Sequence, residues 1–289
     1  MPPVFRFAPS PNGELHLGHA LSACLNHELA HAKGGHFLLR IEDIDPVRCR
    51  PEYEAGIHED LAWLGLTWQQ PVRRQSDHVA LYQSALEGLK ARGLVYPSFL
   101  SRSEIKAVVE TAEQSGRLWP RDPEGAPLYP DFERSLDPAE CAKRINAGQR
   151  HLWRLDMRAA LEDIGHHCMT WAEAGEGLDA HQQADPATWG DIVLWRWDAP
   201  SSYHLSVVLD DALQGVSEVV RGRDLFWATP IHRLLQMLLG LPEPAYRHHR
   251  LLLDENGQKL SKSINSTGLA ALRREGWTPS AIRRRIGLD

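Results

Sequence analysis

The opening segment constrains the fold more than any other part of the chain. Val4-Phe5-Arg6-Phe7 reads as a short buried strand, closed by the turn-forming run Pro9-Ser10-Pro11-Asn12-Gly13. Apolar residues then recur at helical spacing, at Leu17, Leu21, Leu25 and Leu29, and Gly34-Gly35 follows Lys33 as a stop. His36-Phe37-Leu38-Leu39-Arg40-Ile41 is the next strand-like run. Strand, loop, helix and strand in this order predict a parallel βαβ unit, hence an α/β nucleotide-binding core of the Rossmann type.

Further along, helices are expected at Pro51–Leu64 and His78–Arg92. The character changes from Tyr96 to Gln149, where turn-rich stretches such as Trp119-Pro120-Arg121-Asp122-Pro123-Glu124-Gly125 suggest an inserted, less regular α+β domain. Strand-like patterns return at Asp191–Trp197, Tyr203–Leu209 and Val216–Arg221. The simplest layout is a Rossmann core in two halves, residues 1–95 and 186–245, split by an insertion at 96–185. Residues 246–289 then hold a lysine-bearing loop and a short basic helix that ends Arg283-Arg284-Arg285.

The chain has 289 residues, enough for one large domain or two interleaved ones. No run approaches the ~18 apolar residues of a membrane span, and the N-terminus lacks a signal-peptide pattern. Cys24, Cys49, Cys141 and Cys168 are scattered, which argues against a disulfide framework or a cysteine-based metal site. A cytoplasmic protein without a membrane partner is expected. The net charge of −6 conceals a basic end: residues 247–289 carry nine Lys/Arg against four Asp/Glu. Charge alone fits a polyanion partner and a solvated helix face equally well.

Chemistry is concentrated in two motifs. His16-Leu17-Gly18-His19 stands at the mouth of the first helix, where free backbone N–H groups and the positive dipole end attract phosphate. Two imidazoles there can donate to phosphate oxygens, and Gly18 allows an adenine ring to pack closely. Far downstream, Lys259-Leu260-Ser261-Lys262-Ser263 offers two ammonium groups between small hydroxyl residues, suited to the β- and γ-phosphates of ATP as charge builds on departing pyrophosphate. Either motif alone is a pattern that arises by chance. Together, in this order, they point to adenylation.

The pair resembles the two signatures of class I aminoacyl-tRNA synthetases, with Lys259–Ser263 as the KMSKS-like loop. Arg6-Phe7-Ala8-Pro9-Ser10-Pro11-Asn12-Gly13-Glu14-Leu15-His16 and Phe37-Leu38-Leu39-Arg40-Ile41-Glu42-Asp43-Ile44-Asp45 resemble bacterial glutamyl-tRNA synthetases specifically. So do Tyr203-His204-Leu205, Val207-Val208-Leu209-Asp210-Asp211 and Val219-Val220-Arg221-Gly222. Little chain follows the lysine loop, which is similar to the short paralogues that glutamylate queuosine in the anticodon loop of tRNA(Asp). That resemblance implies a ligase that activates L-glutamate with ATP and Mg²⁺, the ion arriving with the nucleotide, and that works on tRNA as a monomer. A truncated enzyme that charges a tRNA 3′ end and a non-catalytic tRNA-binding paralogue are the alternatives.

The resemblance also assigns roles. His16, His19, Lys259 and Lys262 would be catalytic and, with Gly18, bind ATP. Arg6, Ala8, Ser10, Glu42, Tyr203 and Arg221 match glutamate-binding positions, with the arginines for carboxylates and Glu42 for the α-ammonium. From pattern alone, Arg6 also fits a strand-edge surface arginine, Glu42 a cap competing with Asp43 and Asp45, and Tyr203 a core aromatic. The short paralogues often carry zinc in the insertion on a C-x-C pair, a tyrosine and a later cysteine. Here Ser98, Leu100 and Glu133 stand at the thiolate positions. Leucine cannot ligate zinc and serine rarely does, so no structural zinc is expected, and Phe99, Leu100 and Phe132 are expected to fill the space as apolar packing.

Overall fold

A computed structural model describes residues 1–165, 168–253 and 267–288. In chain order the elements of the first part are β1 (Val4–Phe7), α1 (Leu17–Ala32), β2 (His36–Ile41), α2 (Pro51–Trp63), β3 (Gln69–Arg74), α3 (Val79–Ala91) and β4 (Val95–Ser98). There follow α4 (Arg102–Gln114), α5 (Pro138–Asn146), β5 (Leu152–Leu155), α6 (Met157–Ile164), β6 (Thr170–Ala172), β7 (His181–Gln183) and β8 (Val193–Trp195). The last elements are α7 (Tyr203–Leu213), β9 (Glu218–Gly222), α8 (Thr229–Leu239), β10 (Ala245–His249), α9 (Leu269–Arg274) and α10 (Pro279–Ile286).

Five parallel strands form the main sheet in the order β10-β9-β1-β2-β3. This is the expected α/β architecture, with β1 central. Side chains alternate across a strand, and here the alternation divides labour. Phe5, Phe7, Leu39 and Ile41 face a core built with α1, α2, α9 and α10. Arg6 and Arg40, between them in sequence, reach Asp211 on α7. α3, α6, α7 and α8 pack a second core with β4, β5 and β8.

One strand expectation fails. Tyr203–Leu209 is not a strand but the first two turns of α7, started by Ser202, whose hydroxyl accepts the Leu205 N–H. Every residue from Leu205 to Asp211 is buried, so no polar face marked the helical period. A short run dominated by apolar residues, as Val207-Val208-Leu209 is, is ambiguous between a buried strand and a buried helix.

β4, β5 and β8 form a separate antiparallel sheet, and β6 and β7 an antiparallel ribbon. The ribbon returns to the main sheet through a parallel bridge between Glu173 and Tyr246 of β10. Beside β4, the apolar filling expected around Ser98, Leu100 and Glu133 forms only in part, with Phe99 buried and Leu100 half-buried. Phe132 is 51% exposed. The rest of the space is polar: the Arg154 guanidinium lies 3.7 Å from the Tyr129 ring centre and donates to Ser98 Oγ at 3.1 Å. Buried Glu133 accepts the Phe99 N–H at 2.9 Å and the Tyr129 hydroxyl.

Candidate active site

Pairing between β1 and β9 is confined to Phe5 opposite Glu218. On one side of this seam the sheet runs β1-β2-β3, on the other β9-β10, so the chain order reverses here. Such a switch point opens a crevice at the carboxyl ends of the strands. A cavity of about 540 Å³ lies there, lined by residues of the loops after β1, β9 and β10. Its walls include Arg6, Ala8, Ser10, Glu42, Tyr203 and Arg221, and also His16, Gly18 and His19. The fold thus brings nine of the eleven sequence-selected positions to one cavity. Lys259 and Lys262 lie outside the described residues.

His16 is the N-cap of α1. Its Nδ1 accepts the Gly18 N–H at 3.1 Å, and His19 Nδ1 accepts the His16 N–H at the same distance. A nitrogen that accepts carries no proton, so each neutral ring bears its proton on Nε2. The two rings lie 3.8 Å apart. Gly18 has a nearer reason to be glycine than nucleotide packing: a Cβ there would meet His16 Cε1 at 2.9 Å.

Arg6 does not line a strand edge. It is 5% exposed and forks onto Asp211, with Nε and Nη2 donating at 3.0 and 3.2 Å. The fully buried Arg40 also donates to Asp211, at 2.7 Å, and to Glu42 at 3.1 Å. Burial would raise the Asp211 carboxyl, but Arg6 and Arg40 outweigh it and hold it low. At Glu42 burial wins over the same two arginines, and its carboxyl is pushed up. The capping alternative for Glu42 is excluded by its neighbours. Asp43 takes the backbone and hydroxyl of Ser76, and Asp45 the N–H groups of Val47 and Arg48. Ser10 donates to the Glu42 carbonyl at 2.5 Å, which ties the loop after β1 to the end of β2.

Arg221, at the carboxyl end of β9, has a different setting. It is buried, and its nitrogens meet Tyr203 Oη, Thr229 Oγ1, His232 Nδ1 and His248 Nε2 at 2.8–3.4 Å. Among the described residues no carboxylate lies within ion-pair distance of it. Burial, then the nearby guanidinium, lowers the basicity of His232 well below normal and takes His204 down to about 4. Burial also lowers His248, against the pull of Glu173. These histidines are therefore neutral near pH 7 and give the Arg221 guanidinium no counter-charge in direct contact. Sequence reading missed Arg40, Asp211, Thr229, His232 and His248. Arg40 and Asp211 were in plain view within the family-like runs, but their pairing spans 171 positions and has no local signature.

A parallel sheet with a cavity at its switch point, a histidine-capped helix at the mouth and buried guanidinium groups in the wall define a nucleotide-dependent enzyme core of a particular kind. Residues 4–288 match the family described as tRNA synthetases class I (E and Q), catalytic domain, and the chain belongs to it; it is a ligase. More narrowly, it is similar to the glutamyl-Q tRNA(Asp) synthetase of Rhodobacter capsulatus, with 47% identity covering 99% of this chain and 100% of that protein. Glutamate–tRNA ligase 2 of a Methylobacterium species is 38% identical over 98% of this chain, which spans only 59% of that relative. A crystal structure of a glutamate tRNA ligase from Elizabethkingia meningosepticum, in complex with its amino acid, superposes with a TM-score of 0.80 at 25% identity. That match covers 100% of this chain and 61% of that one.

Proposed function

We propose that the chain activates L-glutamate with ATP, as glutamyl-adenylate and without tRNA, and then transfers the glutamyl group to the queuosine base in the anticodon loop of tRNA(Asp). The observation that carries the amino-acid reading is Arg221, a buried guanidinium in the cavity wall whose partners are neutral. A buried charge without a counter-charge is costly, and a substrate carboxylate supplies one. The acceptor reading rests on the full-length similarity to a glutamyl-Q tRNA(Asp) synthetase.

In this reading Arg221, helped by Tyr203, takes the side-chain carboxylate, and Arg6 assists with the carboxylates. Glu42 faces the α-ammonium, and Ala8 and Ser10 shape the floor through backbone and hydroxyl. The α-carboxylate attacks the α-phosphorus of ATP in line, forming the acyl–phosphate bond as the bond to pyrophosphate breaks. His16 and His19 donate Nε2–H to phosphate oxygens, Gly18 leaves room for the nucleotide, and Lys259 and Lys262 steady the leaving pyrophosphate. Mg²⁺ brought in with ATP would supply further charge neutralisation on the phosphates. The donor set at Ser98, Leu100 and Glu133 does not fit zinc, with a guanidinium already among these groups, so the insertion is read as zinc-free.

Glutamate-dependent ATP–pyrophosphate exchange without tRNA tests activation, and absence of exchange with any amino acid removes the enzyme reading. Radiolabelled glutamate offered to queuosine-bearing tRNA(Asp) and to tRNA(Glu) tests the acceptor. Labelling of tRNA(Glu) alone would make the chain a short enzyme that charges a 3′ end.

A further inference from the structure

Arg221 is held by a relay of side chains that the proposed chemistry does not use. Its Nε donates to His248 Nε2 at 3.0 Å, and its Nη1 faces His232 Nδ1 at 3.0 Å. A guanidinium has donors only, so both of those ring nitrogens must be bare acceptors. For His248 the ring proton is then on Nδ1, which meets Glu173 Oε2 at 2.6 Å. Glu173 is itself buried on the ribbon after β6, where the main-chain bridge to Tyr246 brings it beneath the sheet edge. Its carboxylate also accepts the backbone N–H groups of His248 and Gly175, at 2.9 and 2.7 Å, and Trp171 Nε1–H at 3.2 Å.

That setting leaves Glu173 only one way to act on the ring. With every neighbour donating, it stays ionised and accepts, so it selects the His248 tautomer with Nε2 bare. The opposite tautomer would set an N–H of the ring against the Nε–H of Arg221, and one of two buried donors would lose its partner. We infer that Glu173 is a positioning residue for substrate recognition: acting through His248, it fixes the orientation of the Arg221 guanidinium and with it the preference of the cavity for a side-chain carboxylate over a carboxamide. The inference rests on the reading that Arg221 takes the glutamate side chain. It assigns part of that specificity to a residue which touches no substrate and comes from a different part of the chain.

The test is Glu173→Gln, whose amide can turn its NH₂ toward His248 Nδ1 and so favour the wrong tautomer. In ATP–pyrophosphate exchange the KM for glutamate should rise about tenfold or more, the size expected for one misplaced buried hydrogen bond. The KM for ATP and kcat at saturating glutamate should stay within about twofold, because uniform ground-state binding is what is lost. The preference for glutamate over glutamine should fall with it. An unchanged KM for glutamate, or a kcat loss with no change in KM, overturns the inference. ¹⁵N NMR of the wild-type protein gives a second reading that survives poor folding of the variant. Nδ1-protonated, Nε2-bare His248 is required, and the reverse tautomer overturns the inference. Wild-type protein that shows the required tautomer but no glutamate-dependent exchange removes the proposed function, and the specificity role of Glu173 with it. Wild-type exchange with an unaffected variant removes the role of Glu173 alone.

Discussion

At the scale of the residue, the chain repeatedly sets arginine where charge must be fixed in place. Arg6 and Arg40 are matched by Asp211 and Glu42, while Arg221 is surrounded by neutral partners. Arg154 extends the pattern into the insertion, where its flat cation joins Tyr129, Ser98 and, through Tyr129, Glu133. Guanidinium supplies positive charge and directed donors but no coordination bonds. Metal analysis of protein purified without chelators should accordingly return zinc well below one equivalent per chain. One firmly held equivalent would overturn the zinc-free reading and require the Arg154 side chain to move.

At the scale of the element, α7 is the junction of the molecule. Asp210 and Asp211 are adjacent, so they point to different neighbours. Asp211 serves the cavity through Arg6 and Arg40, and Asp210 serves the scaffold through Arg73, Gln75 and Tyr82 at 2.8–3.0 Å. Asp210 is wholly buried, so Asp210→Asn leaves arginine charge in the interior without its counter-charge. A loss of about 3–5 kcal/mol in folding stability is expected, read from the urea midpoint, and a loss under about 1 kcal/mol would show that α7 is held by apolar packing instead. This element also marks where sequence reading stopped. β1, α1 and β2 were legible because strand alternation, a turn-forming run and a helical period succeed one another without ambiguity. α7 was read as a strand because Val207-Val208-Leu209 is apolar whichever way the backbone turns. The site was legible where it is local, at His16, Gly18 and His19. Arg6, Glu42, Tyr203 and Arg221 were reached through the family resemblance, but the side chains that support them across the sheet were not legible, since nothing near Arg221 in sequence announces Glu173.

At the scale of the whole molecule, several groups under the sheet are less ready to bind protons folded than unfolded. His204, His232 and His248 have lowered basicity, chiefly through burial. Burial would raise the Glu173 carboxyl, but hydrogen bonds from the side chain and backbone of His248, and from Trp171, bring it down to about 2. For each of these the unfolded chain takes up protons first as pH falls, so stability is complete above the unfolded value and is lost below it. The histidines should begin to cost stability below pH 6.5, with His204 protonating in the fold only near pH 4. Glu173 adds a further loss between 4.5 and about 2. Asp60, raised by burial to about 6, and Glu42, also pushed up by burial, work in the opposite direction, but they are two carboxyls against three histidines. Urea midpoints should therefore hold between pH 7.5 and about 6.5 and fall from there to pH 5, and a midpoint independent of pH below 6.5 would contradict the neutral histidine cluster. The bridge from Glu173 to Tyr246 has one more effect. A parallel sheet ends in strands with unsatisfied amides and carbonyls, an invitation to pair with strands of other molecules. Along β10 the Tyr246 carbonyl is taken by the Ala174 N–H at 2.8 Å and the His248 N–H by Glu173, so the ribbon that sets the tautomer also closes that border against self-association.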